Sequence, residues 1–322
     1  ATAVNLAVLV LNTVGGAVGR TLFPHQAHLS ATTAPAGDLL AIVDSMSAGQ
    51  IQALILHGTN PAYTLPPAAG FSEALASVPF TVAITDRMDE TASHADLVLP
   101  DRHFLEAWGD SNPRPNLWAI QQPAMRPVPH FASRASGDVL LSLARGLGQD
   151  LGAETFYDYL RMSWLDLHAA QGSEEPFEAF WRRALREGVI DLFTGDQEAP
   201  SLQVPDRALT FDPPALDGEG LTLLVYPSAR FGDGHSANRP WLQELPDPVS
   251  KISWHSWVEV HPETASDLGI STGDIVRVTS PHGQLEVPVW TYPGILRNTV
   301  ALAMGSGHTR FGRFADGRGV NP

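Results

Sequence analysis

Residues 51–61 read Ile51-Gln52-Ala53-Leu54-Ile55-Leu56-His57-Gly58-Thr59-Asn60-Pro61. A short apolar run that stops at a Gly/Asn/Pro cluster is the signature of a buried parallel strand with a polar loop at its carboxyl end. The pattern then repeats. Residues 71–78 read as a helix. Phe80-Thr81-Val82-Ala83-Ile84-Thr85-Asp86 reads as a strand that ends in an acid, and Asp96-Leu97-Val98-Leu99-Pro100 as a third short strand. Strands alternating with helices predict an α/β layer built on an open, doubly wound sheet.

Upstream, residues 5–12 read as a buried helix that stops at Gly15-Gly16, and a second helix starts near Asp38, a candidate N-cap. Downstream, residues 137–147 predict a helix. Residues 154–187 are helical and aromatic, with Phe156, Tyr157, Tyr159, Trp164, Phe177, Phe180 and Trp181, while 191–219 hold several prolines without a period. From Leu221 the pattern turns to strands. Runs at 221–226, 257–260, 274–280, 285–290 and 299–303, a short helix at 262–268 and a hairpin turn at Pro281-His282-Gly283-Gln284 predict a compact β-barrel. The expected division is an α/β domain at 1–150, a helical connector and linker at 151–219, and a barrel at 220–322. A length of 322 residues agrees with more than one domain, because single cores stop growing at about 250–300 residues. Gly and Pro cluster at 58–70, 111–129 and 211–248, which predicts long ordered loops.

The formal net charge is −15, so nucleic acid is excluded as a natural partner and no basic patch favours anionic lipid. The apolar start, residues 1–11, is too short and too polar to cross a bilayer and has no charged flank, so it predicts neither direct membrane insertion nor a signal peptide. It begins within a helix-like pattern and reads as a cut. The chain has no cysteine, which removes disulfides, thiolate zinc sites and cysteine-held iron–sulfur clusters.

Strand-end loops are where doubly wound sheets bind ligands. Three qualify: 58–61, 86–91 and 100–110. Gly58, Thr59, Asn60 and Pro61 suit backbone cradling of a phosphate or a heterocycle edge, and Asp86 suits a ribose or guanine edge. The same residues also read simply as a turn and a helix cap. Twelve histidines, among them His25, His28, His255 and His261, show no carboxylate at zinc-site spacing, so no metal site is expected. Arg239-Pro240-Trp241-Leu242-Gln243-Glu244-Leu245-Pro246-Asp247-Pro248 leaves two readings open: an anchor with Trp241 in the core, or part of a pocket or subunit interface.

Taken together, Gly58-Thr59-Asn60-Pro61, Asp86-Arg87-Met88-Asp89-Glu90-Thr91, Ala95-Asp96-Leu97-Val98-Leu99-Pro100 and Glu106 with Gly109 resemble the third domain of the molybdopterin oxidoreductase (dimethyl sulfoxide reductase) family. Val260-His261-Pro262-Glu263-Thr264-Ala265, Gly273-Asp274-Ile275-Val276-Arg277-Val278 and Ser280-Pro281-His282-Gly283 resemble its fourth domain, a double-psi barrel. The matches span about half the chain in the same order. The resemblance implies a molybdopterin guanine dinucleotide nest with contacts at Gly58, Asn60, Asp86, Glu90, Thr91 and Asp101, and barrel-side contacts at Ser236, Asn238, His308 and Asn321. The family's cluster cysteines and metal ligand lie upstream of the matched region, so no catalytic residue, metal or cofactor is expected on this chain alone.

Residues 237–248, Gly307-His308 and Gly317-Arg318-Gly319-Val320-Asn321-Pro322 further resemble the large iron–sulfur subunit of alternative complex III, a bacterial quinol-oxidising respiratory complex. That resemblance implies a scaffold for electron transfer at the periplasmic face of the inner membrane. Its partners would be an iron–sulfur domain or subunit and, indirectly, membrane quinol-oxidising subunits. Two alternatives stay open: the cofactor-binding half of a true molybdenum oxidoreductase, and a stand-alone nucleotide-binding module.

Overall fold

A computed structural model describes residues 2–23, 33–172, 174–192 and 220–322. The first helix, α1 (Thr2–Val14), ends where Gly15 donates to the Leu11 carbonyl and Gly16 turns to φ +67°. Its expected burial is not observed. Val4, Val8, Leu11 and Val14, spaced at three and four residues, form an exposed apolar stripe.

Next come α2 (Ala36–Ser47), β1 (Leu54–His57), α3 (Pro61–Thr64), α4 (Phe71–Leu75), β2 (Thr81–Thr85) and β3 (Leu97–Pro100). Asp38 lies in the first turn of α2, not at its N-cap, where its charge still complements the helix dipole. The strands form one parallel sheet in the order β1-β2-β3, with Leu54 opposite Thr81 and Val82 opposite Leu97. Every residue of β2 is buried, as a central strand covered on both faces requires. Val43, Met46, Leu56, Phe71, Ala74, Leu75 and Val78 pack α2 and α4 onto this layer. All three strand ends point to one edge, and the loops 58–61 and 86–91 emerge there.

The stretch expected as loop at 111–129 contains a hairpin. Strands β4 (Gly109–Arg114) and β5 (Leu117–Gln121) pair antiparallel, with Asn116 at φ +64° in the turn. Helices α5 (Ser136–Gly146), α6 (Phe156–Ala170) and α7 (Phe177–Glu187) follow, and β6 (Val189–Asp191) adds to β5. Trp164, Phe180, Trp181, Ala184, Ile120 and Ile190 make an aromatic core here. The Trp164 indole N–H donates to Asp110 at 2.9 Å, which gives the buried ring its polar partner.

The C-terminal elements are β7 (Thr222–Pro227), α8 (Pro240–Glu244), β8 (Val258–Val260), α9 (Pro262–Leu268), β9 (Ile275–Ser280), β10 (Gly283–Thr291) and β11 (Thr299–Met304). They form a mixed sheet in the order β7-β11-β8-β10-β9 around Val258, Val260, Val287, Val289, Val300 and Leu302. The edge strands β7 and β9 both line one cavity, through Leu223, Val225, Val278 and Ser280, so the sheet rolls into a barrel-like shape. The expected hairpin is present, with Ser280 opposite Gly283 across Pro281-His282. Trp241 is 82% exposed, so it is not a core anchor. The loop is held instead by buried Gln243, whose amide donates to the Ala237 carbonyl, and by Arg230, which donates to the Leu245 carbonyl at 2.9 Å.

The compact units do not follow the division at 150 and 219. One contains Ala1–Pro35 and Arg102–Leu216; the other contains Ala36–Asp101 and Asp217–Pro322. The α/β layer therefore shares a unit with the barrel, and residues 102–150 pack with the helices that were expected to be a connector. Among the described residues, no helix is long and apolar enough to cross a membrane.

Candidate functional site

The site lies within the second unit, where the strand-end loops of the parallel sheet meet the loops that follow β7 and β11. Gly58 turns the chain out of β1 with φ +58°, and Pro61 starts α3 with its φ already set for a helix. Asn60 then uses both ends of its amide. Its Oδ1 accepts from the Thr91 N–H at 3.0 Å and the Thr91 hydroxyl at 2.7 Å, while its Nδ2 donates to Glu90 at 2.7 Å. The Thr91 hydroxyl oxygen accepts in turn from the Ala62 N–H at 3.0 Å. The two loops are thus sewn together by side-chain hydrogen bonds.

Glu90 is the hub. Beyond Asn60, it accepts from the Thr309 N–H at 2.7 Å and the Arg310 N–H at 3.1 Å, and it faces His308 Nδ1 at 3.1 Å. Burial pushes its carboxyl up, but hydrogen bonds from His308, Asn60 and the Arg310 N–H outweigh burial and hold the carboxyl down at about 2. A drop of that size is worth about 3 kcal/mol of stability at neutral pH.

His308 is 1% exposed. Its ring lies parallel between Tyr63, at 3.7 Å between centroids, and Phe311, at 4.1 Å. The Arg87 guanidinium covers Phe311 at 4.8 Å. The Tyr63 hydroxyl donates to the Ser306 carbonyl at 2.7 Å, and burial followed by the charges of Glu90 and Asp233 pushes its pKa up. Gly234 carries φ +104°, and a Cβ there would come within 2.7 Å of Tyr63 and 2.8 Å of His308. Only glycine lets the backbone approach this closely.

Beside this network is a cavity of about 200 Å³, lined by Gly58, Thr59, Asp86, Asp89, Asp233 and His235, together with Asn60, Tyr63, Arg87, His308 and Phe311. Asp86 is bound by its neighbour Arg87 through two hydrogen bonds of 2.9 Å, which hold its carboxyl below the usual range. Burial pushes the Asp89 carboxyl up; its Oδ1 accepts from the Ala92 N–H at 2.7 Å.

The ten residues singled out from sequence therefore separate. Gly58, Asn60, Asp86 and His308 line the pocket, and Glu90 and Thr91 lie behind it in the network. Asp101 pairs with His57 at 3.0 Å. Asn238 accepts from the Phe314 N–H at 3.0 Å, Asn321 donates to the Tyr63 carbonyl at 3.0 Å, and the Ser236 carbonyl accepts from the Arg239 N–H. These last four serve loops, not the cavity lining. Tyr63, Arg87, Asp89, Asp233, His235 and Phe311 join the site without having been singled out. Arg87 and Asp89 stood inside the quoted motif, and Tyr63 follows Asn60 by three residues; Phe311 carried no local signal.

Among the described residues, no group of three His, Asp or Glu side chains is placed to hold a metal ion, and His25 and His28 lie outside them.

Two stretches match known families. Residues 2–111 match the molybdopterin oxidoreductase family, and residues 231–322 match the molydopterin dinucleotide binding domain. The chain belongs to the molybdopterin oxidoreductase family. It is 29% identical to the menaquinone reductase, molybdopterin-binding-like subunit, of Nitratidesulfovibrio vulgaris, across 98% of this chain and 46% of that protein. It is 25% identical to the assimilatory nitrate reductase catalytic subunit of Bacillus subtilis, across 87% and 40%. The chain spans less than half the length of these relatives. Acetylene hydratase from Pelobacter acetylenicus shares the fold, with a TM-score of 0.55 at 17% identity over 82% of this chain and 39% of that one.

Family membership raises a molybdopterin dinucleotide as the ligand, and the lining tests it. Pockets for small molecules usually measure about 300–1,000 Å³. This one is about 200 Å³, with three carboxylates and one guanidinium that is already engaged by Asp86. An anionic pyrophosphate brought beside Asp86, Asp89 and Asp233 meets like charge, with the Arg87 guanidinium already paired to Asp86. The residues of this chain do not fit that group by themselves.

Proposed function

We propose that this chain is part of a molybdopterin-like subunit of a respiratory electron-transfer complex of the alternative complex III kind, in which the dinucleotide nest is vestigial and the fold serves as a scaffold. The observation that carries this reading is the consumption of the nest residues by one another: Asn60, Glu90, Thr91 and His308 all bond within the protein. The relative named as a molybdopterin-binding-like subunit of a menaquinone reductase supports it, since that name joins a cofactor-like fold to quinone chemistry. On this reading the chain supplies no catalytic group. Electrons pass through an iron–sulfur domain or neighbouring subunit, membrane subunits handle the quinol, and the complex faces the periplasm.

Calorimetry with guanosine diphosphate tests it. The expected dissociation constant is millimolar or weaker, about −4 kcal/mol or less in magnitude. Micromolar binding that is lost in Asp86→Asn would favour the second reading, a nest that still accepts a pterin dinucleotide. The position of Asp86 at a strand end beside Gly58 and Thr59 is the feature that supports that alternative.

A further inference from the structure

We propose that His308 is held as an imidazolium and acts as the bolt of a proton-dependent latch, joining the strand-end loops of the parallel sheet to the loops after β7 and β11. The argument goes beyond the scaffold reading and stands on the partners of the two ring nitrogens. Nδ1 faces the Glu90 carboxylate at 3.1 and 3.3 Å, and Nε2 faces the Gly234 carbonyl at 3.1 Å. A carbonyl oxygen only accepts, and so does an ionised carboxylate. A neutral imidazole carries one N–H and one lone pair, so either tautomer would set a lone pair against an oxygen in a buried place. Both contacts become hydrogen bonds only when both nitrogens carry protons.

The surroundings suit a cation. The ring is sandwiched face to face between Tyr63 and Phe311, whose π-faces attract positive charge. Other charged and titratable groups surround the ring. From the sheet loops come Asp86, Arg87, Asp89 and Glu90, from α3 comes Tyr63, and from the loop after β7 come Asp233 and His235. Acids outnumber guanidinium groups in that set, and Arg87 is already committed to Asp86.

Removal of one proton has a local consequence. A ring lone pair then opposes either Glu90 or the Gly234 carbonyl, and the Glu90 charge loses its cation. Glu90 also holds the N–H groups of Thr309 and Arg310, so these two amides report on the latch directly.

The test is nitrogen NMR on the full chain carrying ¹⁵N-histidine, with His308→Gln used to assign the signal. At pH 7 both His308 nitrogens are expected to show bound protons in slow exchange with water. One protonated and one bare nitrogen at that pH would overturn the proposal. Raising the pH until the ring loses a proton is expected to reduce the hydrogen-exchange protection of Thr309 and Arg310 at least about tenfold, after correction for intrinsic rates. Protection that passes through that step unchanged would refute the latch. Because the pH series uses the unmodified protein, a folding failure of the variant leaves the second measurement decisive.

Discussion

Asp86 and Glu90 stand four residues apart in one loop, and their surroundings differ completely. Asp86 faces the cavity and is answered by its sequence neighbour Arg87 at the protein surface. Glu90 turns away from the cavity and is answered by Asn60, 30 residues upstream, and by His308, Thr309 and Arg310, more than 200 residues downstream. Two acids of one motif thus have separate tasks. One closes a local ion pair with Arg87 beside the cavity, and the other holds the fold. A motif match names both equally, and only the hydrogen-bond partners distinguish them.

The sharpest way to break this contrast is Glu90→Ala. It leaves His308 buried without its anion and frees three N–H donors, so a loss of about 3–5 kcal/mol in chemical denaturation is expected. A loss below 1 kcal/mol would place Glu90 with Asp86 as a surface acid. The acid limb of the stability profile comes next. The Glu90 carboxyl lies below its ordinary value of 4.5, at about 2. Its contribution is therefore complete above about pH 4.5 and is lost as pH falls through about 2, amounting to about 3 kcal/mol. Asp89, pushed up by burial, works in the opposite direction over the acidic range. Denaturation midpoints from pH 6 to pH 2 measure the sum, and Glu90→Gln should flatten it. A slope unchanged in Glu90→Gln would assign the acid sensitivity elsewhere.

Gly234→Ala tests the same side of the comparison by sterics alone. The added methyl meets Tyr63 and His308 at a backbone angle that alanine resists, and about 2 kcal/mol of destabilisation is expected. Asp86→Asn should have the smallest effect, under about 1 kcal/mol, because a pair at the surface contributes little. Thermal melts of the two variants side by side settle the order.

Much of this was legible in the sequence. The apolar runs that became β1, β2 and β3 and the Pro281/Gly283 hairpin announced themselves by composition. The hairpin of β4 and β5 did not, since Gly109-Asp110-Ser111-Asn112-Pro113-Arg114 has the residues of a loop. Its pairing is fixed by packing that places Ile120 beside Trp164 and by the bond from Trp164 to Asp110. At the site, Asn60, Glu90 and Thr91 could be found because they recur in a family motif. Phe311 could not, because its meaning comes from a ring 248 residues away in α3 and from His308 between them. Trp241 was undecidable from sequence, as an aromatic residue among prolines suits a core and a surface equally.

The second compact unit is assembled from residues 36–101 and 217–322, with more than a hundred residues of the other unit between them. A ribosome releases the chain from one end, so the first segment emerges long before its counterpart exists. Until residues 306–321 are available, the ring of Tyr63 and the carboxylate of Glu90 lack their downstream partners. Contacts of such sequence separation close late and slowly. The strand-end loops of the parallel sheet therefore stay uncovered during synthesis until the last loops have left the ribosome.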